Sequence, residues 1–398
     1  MGLFRRCHYL KMAKICFVWE FGAGLGHILP HLEIFKKLKQ MGHELVFVVK
    51  EPDKVHRYLG NENLICLQCP VVKKDLNRHI KNPINFSQIL YNLGFYSPEI
   101  VYTHISLWKN YFTLIDPDIV IFDFSPFALI ASQKFSFKKV IINEGYLVPP
   151  DLTPLPSVIE ESPENNKLQE LEDKILSYIN KACEMAKLPK LNRISQIFYL
   201  PDTLRFLKTL PEFDPYVKYR ENPNYILFQP PEIEEKLYSI LSKYRCFGYL
   251  KPHKNISAIV NLLKSYNIKS LIVIDGVKET IIDESIVITN KLVNIRNIAN
   301  SLEFAILNGN INSVIDFLML GIPVFNLPLT VNQFLISESV SFHKLGAWAN
   351  INNNKQIQKE FELFLKNLVF YTDKVREFKD KNQKYIKKAE YVINELLR

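Results

Sequence analysis

The stretch Leu307-Asn308-Gly309-Asn310-Ile311-Asn312-Ser313-Val314-Ile315-Asp316, continued by Leu320-Gly321-Ile322-Pro323-Val324 and by Leu327-Pro328-Leu329-Thr330-Val331-Asn332-Gln333-Phe334, decides how the rest of the chain is read. An apolar run at 304–307 ends in a loop of small polar residues, which reads as a strand giving way to a helix at 313–320. A second strand at 323–326 and a second helix at 330–342 repeat that rhythm. Asn312 and Ser313 open the first helix, with Ser313 and Asp316 in capping-box spacing. The free N–H groups and partial positive charge of such a terminus suit an anion such as a departing diphosphate. A capped turn with a purely structural role fits the same residues.

Working backwards, strands are predicted at 245–250, 270–274 and 285–288 and a helix at 256–266, so a complete alternating α/β unit follows the Pro230-Pro231 pair. An earlier alternation precedes it, with strands at 14–20, 44–49, 64–69, 119–123 and 139–143 and helices at 31–41, 89–112 and 126–134. Further strands are predicted at 204–210 and 225–228, a proline-rich loop at 149–163 and an amphipathic helix at 165–187. Downstream, 356–398 is helical in period and rich in charge. The fold class is α/β, with two consecutive doubly wound parallel sheets whose strand ends are expected to border one cleft. The domains are expected at 12–228 and 229–371, with a terminal helix at 372–398 that returns to the first domain.

Length and composition agree, since 398 residues suit two domains of about 200 each. With 47% hydrophobic and 23% charged residues the chain is neither disordered nor fibrous. The longest apolar runs, 119–132 and 317–329, are broken by Asp123 and by Gly321, Pro323 and Asn326, which excludes a membrane span. The net charge of +9 is spread along the chain and denser from Lys374 to Lys388. That suits an anionic donor or at most peripheral contact with a membrane, although a solvated helix face is the plainer reading. No zinc-finger spacing or RNA-binding signature points to nucleic acid.

The six cysteines follow no secretory signal and read as reduced, cytoplasmic thiols. Cys66 and Cys69 have CxxC spacing but end a strand rather than open a helix, and no second pair completes a zinc site. Met12, just before the first strand, is an alternative start to Met1.

That first strand runs into Gly22-Ala23-Gly24-Leu25-Gly26-His27-Ile28-Leu29-Pro30, a glycine loop feeding a helix. Glycine permits tight turns and close approach of backbone to a ligand, and proline is tolerated in a first helical turn. A dinucleotide fingerprint would need glycine where His27 stands, so a NAD enzyme with Glu51 on the ribose is the weaker reading. His27 places an imidazole at the mouth of a parallel sheet, where it can act as general base near neutral pH. An isolated histidine there would more often only cap its loop. Asp123 changes the balance, because a carboxylate ending another parallel strand can hold the second imidazole nitrogen and fix its tautomer. A helix cap ahead of Ser125-Pro126 explains Asp123 equally well.

The sequence resembles the family 1 nucleotide-sugar glycosyltransferases of the macrolide and flavonoid type, which have the GT-B fold. That family's loop reads His-x-Gly-x-(Gly or Asn)-(Ser or Thr)-x-x-Glu, then Gly-x-Pro, then Pro-x-x-x-(Asp or Glu)-Gln. Gly309, Asn312, Ser313, Asp316, Gly321, Pro323, Pro328 and Gln333 fall in register with it. So do the glycine loop, the run from Leu210 to Pro215, and the run from Phe247 to Pro252. The resemblance implies that His27, oriented by Asp123, deprotonates an acceptor hydroxyl, with inversion at the sugar and no metal or other cofactor. Donor contacts are implied for Gly24, Gly26, Lys251, Val293 (backbone to the base), Asn308 and Gly309. They are implied also for Asn312 and Ser313 (diphosphate), Asp316 (ribose), and Asn332 and Gln333 (sugar). The donor would be a UDP- or dTDP-sugar, most simply UDP-sugar, and the acceptor a small or lipid molecule.

Three departures stand out: Asn308 replaces the loop histidine, Asn310 a glycine, and Asn332 the acid before Gln333. Losing one charge-assisted contact costs about 1–3 kcal/mol, roughly one to two decades in affinity or rate. A catalytically silent relative that binds and activates a partner enzyme is therefore the alternative. The related GT-B epimerases are a third, but the carboxylates they use have no counterpart recognisable in the sequence. The aromatics from Tyr91 to Phe112 read either as the lining of an apolar acceptor pocket or as core.

Overall fold

Because Ile15–Trp19 is a continuous apolar run, it can be covered on both faces, and with Lys14 it forms β1 (Lys14–Trp19) in the middle of a parallel sheet. The other strands of that sheet are β2 (Glu44–Val49), β3 (Ile65–Gln68), β4 (Ile119–Asp123), β5 (Lys138–Asn143) and β6 (Thr203–Leu207), in the order β3-β2-β1-β4-β5-β6. Every pairing is parallel. The order reverses between β1 and β4, where Trp19 lies opposite Asp123. In doubly wound sheets the ends of two such strands border the ligand crevice.

A computed structural model describes residues 12–60, 64–73, 75–159, 165–228, 244–274, 276–278, 280–283, 285–291 and 293–398. The Pro230-Pro231 pair, the amino terminus with Cys7, and the end of the proline-rich loop at 160–163 lie outside the described residues. By its contacts the chain forms two units, one of Met1–Lys208, Lys218–Asn224 and Lys387–Arg398, the other of Thr209–Val217 and Tyr225–Ile386. These limits differ from a single cut after 228.

The second unit has its own sheet of β7 (Cys246–Leu250), β8 (Ser270–Ile274), β9 (Ile281–Ile282), β10 (Ile286–Thr289), β11 (Phe304–Leu307), β12 (Val324–Asn326) and β13 (Gly346–Trp348). Its order is β13-β12-β11-β7-β8-β10-β9, parallel except where β9 pairs β10. Here the order reverses between β7 and β11, so the loops after those strands, beginning at Lys251 and Asn308, occupy the switch point. Buried side chains on the two sheet faces, Val324 and Leu307 among one set and Phe325 and Ile306 among the other, form separate core clusters.

Several expectations are corrected. The helix expected at 89–112 is two helices, Phe86–Asn92 and Pro98–Ile115. Gly94 takes φ 108° between them, and Ser97 caps the second, whose first position is Pro98. Residues 225–228 form no strand; Tyr225 and Leu227 are single bridge positions, Leu227 with Ile386. Residues 356–398 fall in three helices, Asn354–Lys366, Leu368–Asn382 and Ala389–Leu397, the last within the first unit. Among the aromatics from Tyr91 to Phe112, Phe95, Trp108 and Phe112 are core. Among the described residues no helix is long and apolar enough to cross a membrane.

Candidate functional site

In the first unit the loop leaving β1 turns on Gly22 and Gly24, both at positive φ, and enters two short 3-10 turns, Leu25–His27 and Leu29–His31. Three side chains hold it: Lys50 on the Gly22 carbonyl, Glu51 on the Gly24 N–H at 3.0 Å, and Lys208 on the Gly26 carbonyl at 3.0 Å. The Gly24 amide is therefore not open to a phosphate, since a carboxylate occupies it. Glu51, also bonded to Lys54 at 2.6 Å, is likewise not free for a ribose hydroxyl.

The loop delivers His27 against Trp19, with rings stacked at 4.7 Å. His27 Nδ1 lies 3.0 Å from Asp123 Oδ2. A carboxylate there accepts the Nδ1 proton and leaves Nε2 with its lone pair. Nε2 lies over Gly22, where an added Cβ would stand 2.2 Å from it, so glycine keeps the space for the ring.

Asp123 is 1% exposed. Burial pushes its carboxyl up, but His27, His31 and Lys208 outweigh that and hold it well below the usual carboxylate range. His31 is a residue the sequence reading missed. Its Nε2 is 3.7 Å from the same Asp123 oxygen, and burial lowers its pKa from the ordinary imidazole value. The helix-cap reading of Asp123 is not what the structure has: the helix Pro126–Ala131 has no side-chain cap from Ser125, and Glu20 Oε2 accepts the Phe127 N–H at 3.0 Å. Burial raises the Glu20 carboxyl to about 8. Phe124, next to Asp123, holds φ 42°, a strained value for a bulky residue, with its N–H on Asn143 Oδ1 at 3.2 Å.

In the second unit Asn308 is 2% exposed. Its Oδ1 accepts the Lys251 N–H at 2.6 Å and its Nδ2 donates to the Leu327 carbonyl at 2.8 Å, which joins the loops after β7, β11 and β12. The expected donor contact through this side chain is thus replaced by a structural clamp. Gly309 has φ 83°, and a Cβ there would meet the Gln333 carbonyl and Ser337 Oγ at 2.7 Å each. The helix begins at Ile311, not 313, so Ser313 sits in its first turn and the Ser313–Asp316 capping box does not form. The N-cap residue, Asn310, makes no side-chain cap bond to that helix; its side chain turns away and accepts from Gln333 Nε2 at 2.8 Å.

Gln333 Oε1 meanwhile accepts the Leu329 N–H at 2.8 Å, and Thr330 Oγ1 accepts the Gln333 N–H. The capping pattern is therefore Thr330-x-x-Gln333, at the start of the helix Val331–Phe342. Both polar atoms of the Gln333 side chain have protein partners. Asn312 and Asp316 lie in the first two turns of the helix Ile311–Leu320, Asn332 in the first turn of the next, and Val293 just ahead of the short helix Ile295–Ile298.

Burial raises the Cys66 thiol to about 11 and the Cys69 thiol to about 12, which disfavours thiolate chemistry at the CxxC pair. Among the described residues no group of three or more histidine, cysteine or acidic side chains could hold a metal.

No protein-family profile matches the chain, and no curated protein sequence matches it. Solved structures do. The glycosyltransferase SnogD from Streptomyces nogalater is 12% identical, with 96% of this chain and 99% of that one covered and a TM-score of 0.64. The glycotransferase of kitacinnamycin is 13% identical, with coverage of 94% and 96% and a TM-score of 0.66. The spinosyn rhamnosyltransferase SpnG complexed with thymidine diphosphate is 12% identical, with coverage of 96% and 99% and a TM-score of 0.60. At such identities the likeness is one of fold, and it bears out the two Rossmann-like units expected from the sequence.

Proposed function

We propose that the chain is an inverting, metal-independent glycosyltransferase that moves a sugar from a UDP- or dTDP-sugar to a hydroxyl of a small apolar acceptor. The observation that carries this is the pairing of His27 with a buried, ionised Asp123 at the switch point of a sheet whose fold is shared with glycosyltransferases. His27 Nε2 takes the acceptor proton as the oxygen attacks the anomeric carbon opposite the departing diphosphate, and Asp123 stabilises the imidazolium. The leaving diphosphate is met by the start of the helix Ile311–Leu320, whose N-cap residue Asn310 makes no side-chain cap bond and where Asn312 and Ser313 stand. Asp316 takes the ribose, the Val293 backbone the base, and Asn332 the sugar. Gln333 turns both of its Nε2 protons to the sugar only by giving up Asn310.

That last requirement supports a second reading, a silent relative that serves a partner protein, because Asn308 and Gln333 are already engaged within the fold. Titration calorimetry with UDP- and dTDP-sugars up to millimolar concentration separates the two. Saturable heat in the presence of EDTA supports the enzyme. No heat with any of them gives the case to the partner reading, and binding only with added Mg²⁺ or Mn²⁺ contradicts metal independence.

A further inference from the structure

Between β3 and the helix Phe86–Asn92 the described residues hold one short 3-10 turn, Leu76–Arg78. Connections of that length are uncommon in a compact unit and mostly carry function. Lys73, Lys74, Arg78 and Lys81 stand on it against the single acid Asp75, a net charge of +3. Lys73, Arg78 and Lys81 are exposed, and Asp75 meets Arg78 at 3.4 Å. The loop is pinned in place. Both backbone groups of Ile80 bond to the Asn92 side chain, at 2.8 and 2.9 Å, and the Ile84 N–H bonds to Gln88 Oε1 at 2.9 Å. A Cβ on Gly94 would stand 2.9 Å from Val72 Cγ1, so the loop lies directly on the turn between two helices.

This basic loop leaves the same edge of the sheet as the His27 loop. The Cys69 N–H bonds to the Val49 carbonyl at 2.9 Å, and Cys69 Sγ lies 4.0 Å from the Glu20 carbonyl. Arg78 stands over the Tyr96 ring at 5.3 Å, with Tyr91 against Tyr96 at 5.6 Å. Next to Tyr96, Phe95 stacks on Phe127 at 4.2 Å, and Phe127 meets Phe21, the residue ahead of Gly22, at 5.9 Å. A packed aromatic layer thus links the cations to the glycine loop. Of the acids at that edge, Glu51 pairs with Lys54 and Asp123 with His27, so they do not cancel the excess. We propose that the acceptor carries an acidic group, a carboxylate or a phosphate, on an apolar body, and that loop 70–83 receives that group. This rests on the catalytic reading above and narrows its acceptor. Guanidinium forks either anion through paired N–H groups, and the two exposed ammonium groups add charge. Anionic lipid surfaces are held by clusters of about four to eight basic residues, whereas a net +3 suits one small anion.

The test is titration calorimetry of the full chain with para-hydroxycinnamate and para-hydroxyphenyl phosphate, each against its neutral methyl ester. At low salt the acids should bind about three- to tenfold more tightly than the esters, the worth of one or two exposed ion pairs. That ratio should fall to about one in the triple variant Lys73→Gln, Arg78→Gln, Lys81→Gln, and should shrink at high salt. Lys73→Arg with Lys81→Arg should keep it. The pair Lys73→Gln with Lys81→Gln, which spares the Arg78–Tyr96 stack, replaces the triple variant if that does not fold. Equal binding of acids and esters by the natural chain, binding of neither, or a ratio that survives in the triple variant would overturn the proposal. So would co-sedimentation with phosphatidylglycerol vesicles that the triple variant loses, without preference for the soluble acids, which assigns the loop to a lipid surface. Binding is read whether or not sugar moves. A preference for acids in a chain that transfers nothing would defeat the proposed function alone, and transfer to neutral alcohols with no preference for acids would defeat this inference alone.

Discussion

Replacing Asn308 tests whether the departure from the family loop is a structural clamp. Its carboxamide is wired to the Lys251 N–H and the Leu327 carbonyl and is almost without solvent access. Asn308→Ala leaves both backbone groups without a partner, at about 1–3 kcal/mol each, so the second unit should lose about 2–6 kcal/mol. Asn308→Asp keeps the shape and the bond from Lys251, but sets a carboxylate oxygen against the Leu327 carbonyl unless it is protonated. Its folded pKa would therefore lie above its unfolded value near 4, so its stability should be close to that of the natural chain at low pH and fall as pH rises toward 7. Amide hydrogen exchange of peptides from β11 and β12 in graded urea reads the second unit by itself. Unchanged protection in Asn308→Ala, or a pH-independent Asn308→Asp, would refute the reasoning.

Other outcomes follow from single contacts. Glu20, raised to about 8, binds a proton in the folded state that the unfolded chain gives up near pH 4.5, so stability should decline between those values. Glu20→Gln keeps an acceptor for the Phe127 N–H and should flatten that decline in denaturant curves taken from pH 5 to 9. Gly22→Ala would place a methyl group 2.2 Å from His27 Nε2, and should displace the ring and lower transfer by at least about tenfold, a loss of about 1.4 kcal/mol, in initial-rate assays. Asn310→Gly releases Gln333 Nε2, and calorimetry should show nucleotide-sugar affinity rising by up to about tenfold, the worth of one hydrogen bond. No gain in that variant removes Gln333 from the sugar site.

Much of the fold was legible because fully buried parallel strands announce themselves as continuous apolar runs, as at Ile15–Trp19 and Ile119–Phe122. His27 and Asp123 could be paired in advance because each ends or follows a strand, and strand ends converge. Contacts made by side chains reaching in from distant segments were not legible. Nothing near Lys208 or Glu51 announces that one ties Gly26 and the other Gly24. His31 was hidden by its place in what read as an ordinary helix. The Ser313–Asp316 spacing mimics a capping box but lies two residues inside a helix that starts at Ile311, while Thr330 and Gln333 carry the same spacing at a true helix start. Asn310 had the chemistry of a helix cap, and its use on Gln333 depends on where the next helix packs.

The central claim is that His27 performs proton transfer in a sugar-transfer reaction, and the direct measurement is transfer of a labelled sugar from UDP- and dTDP-donors to a panel of apolar alcohols in EDTA. The natural chain should transfer to at least one acceptor with inversion at the anomeric carbon, and His27→Ala should lose that transfer while binding donor as tightly. Equal transfer by His27→Ala, or retention of configuration, would contradict the account.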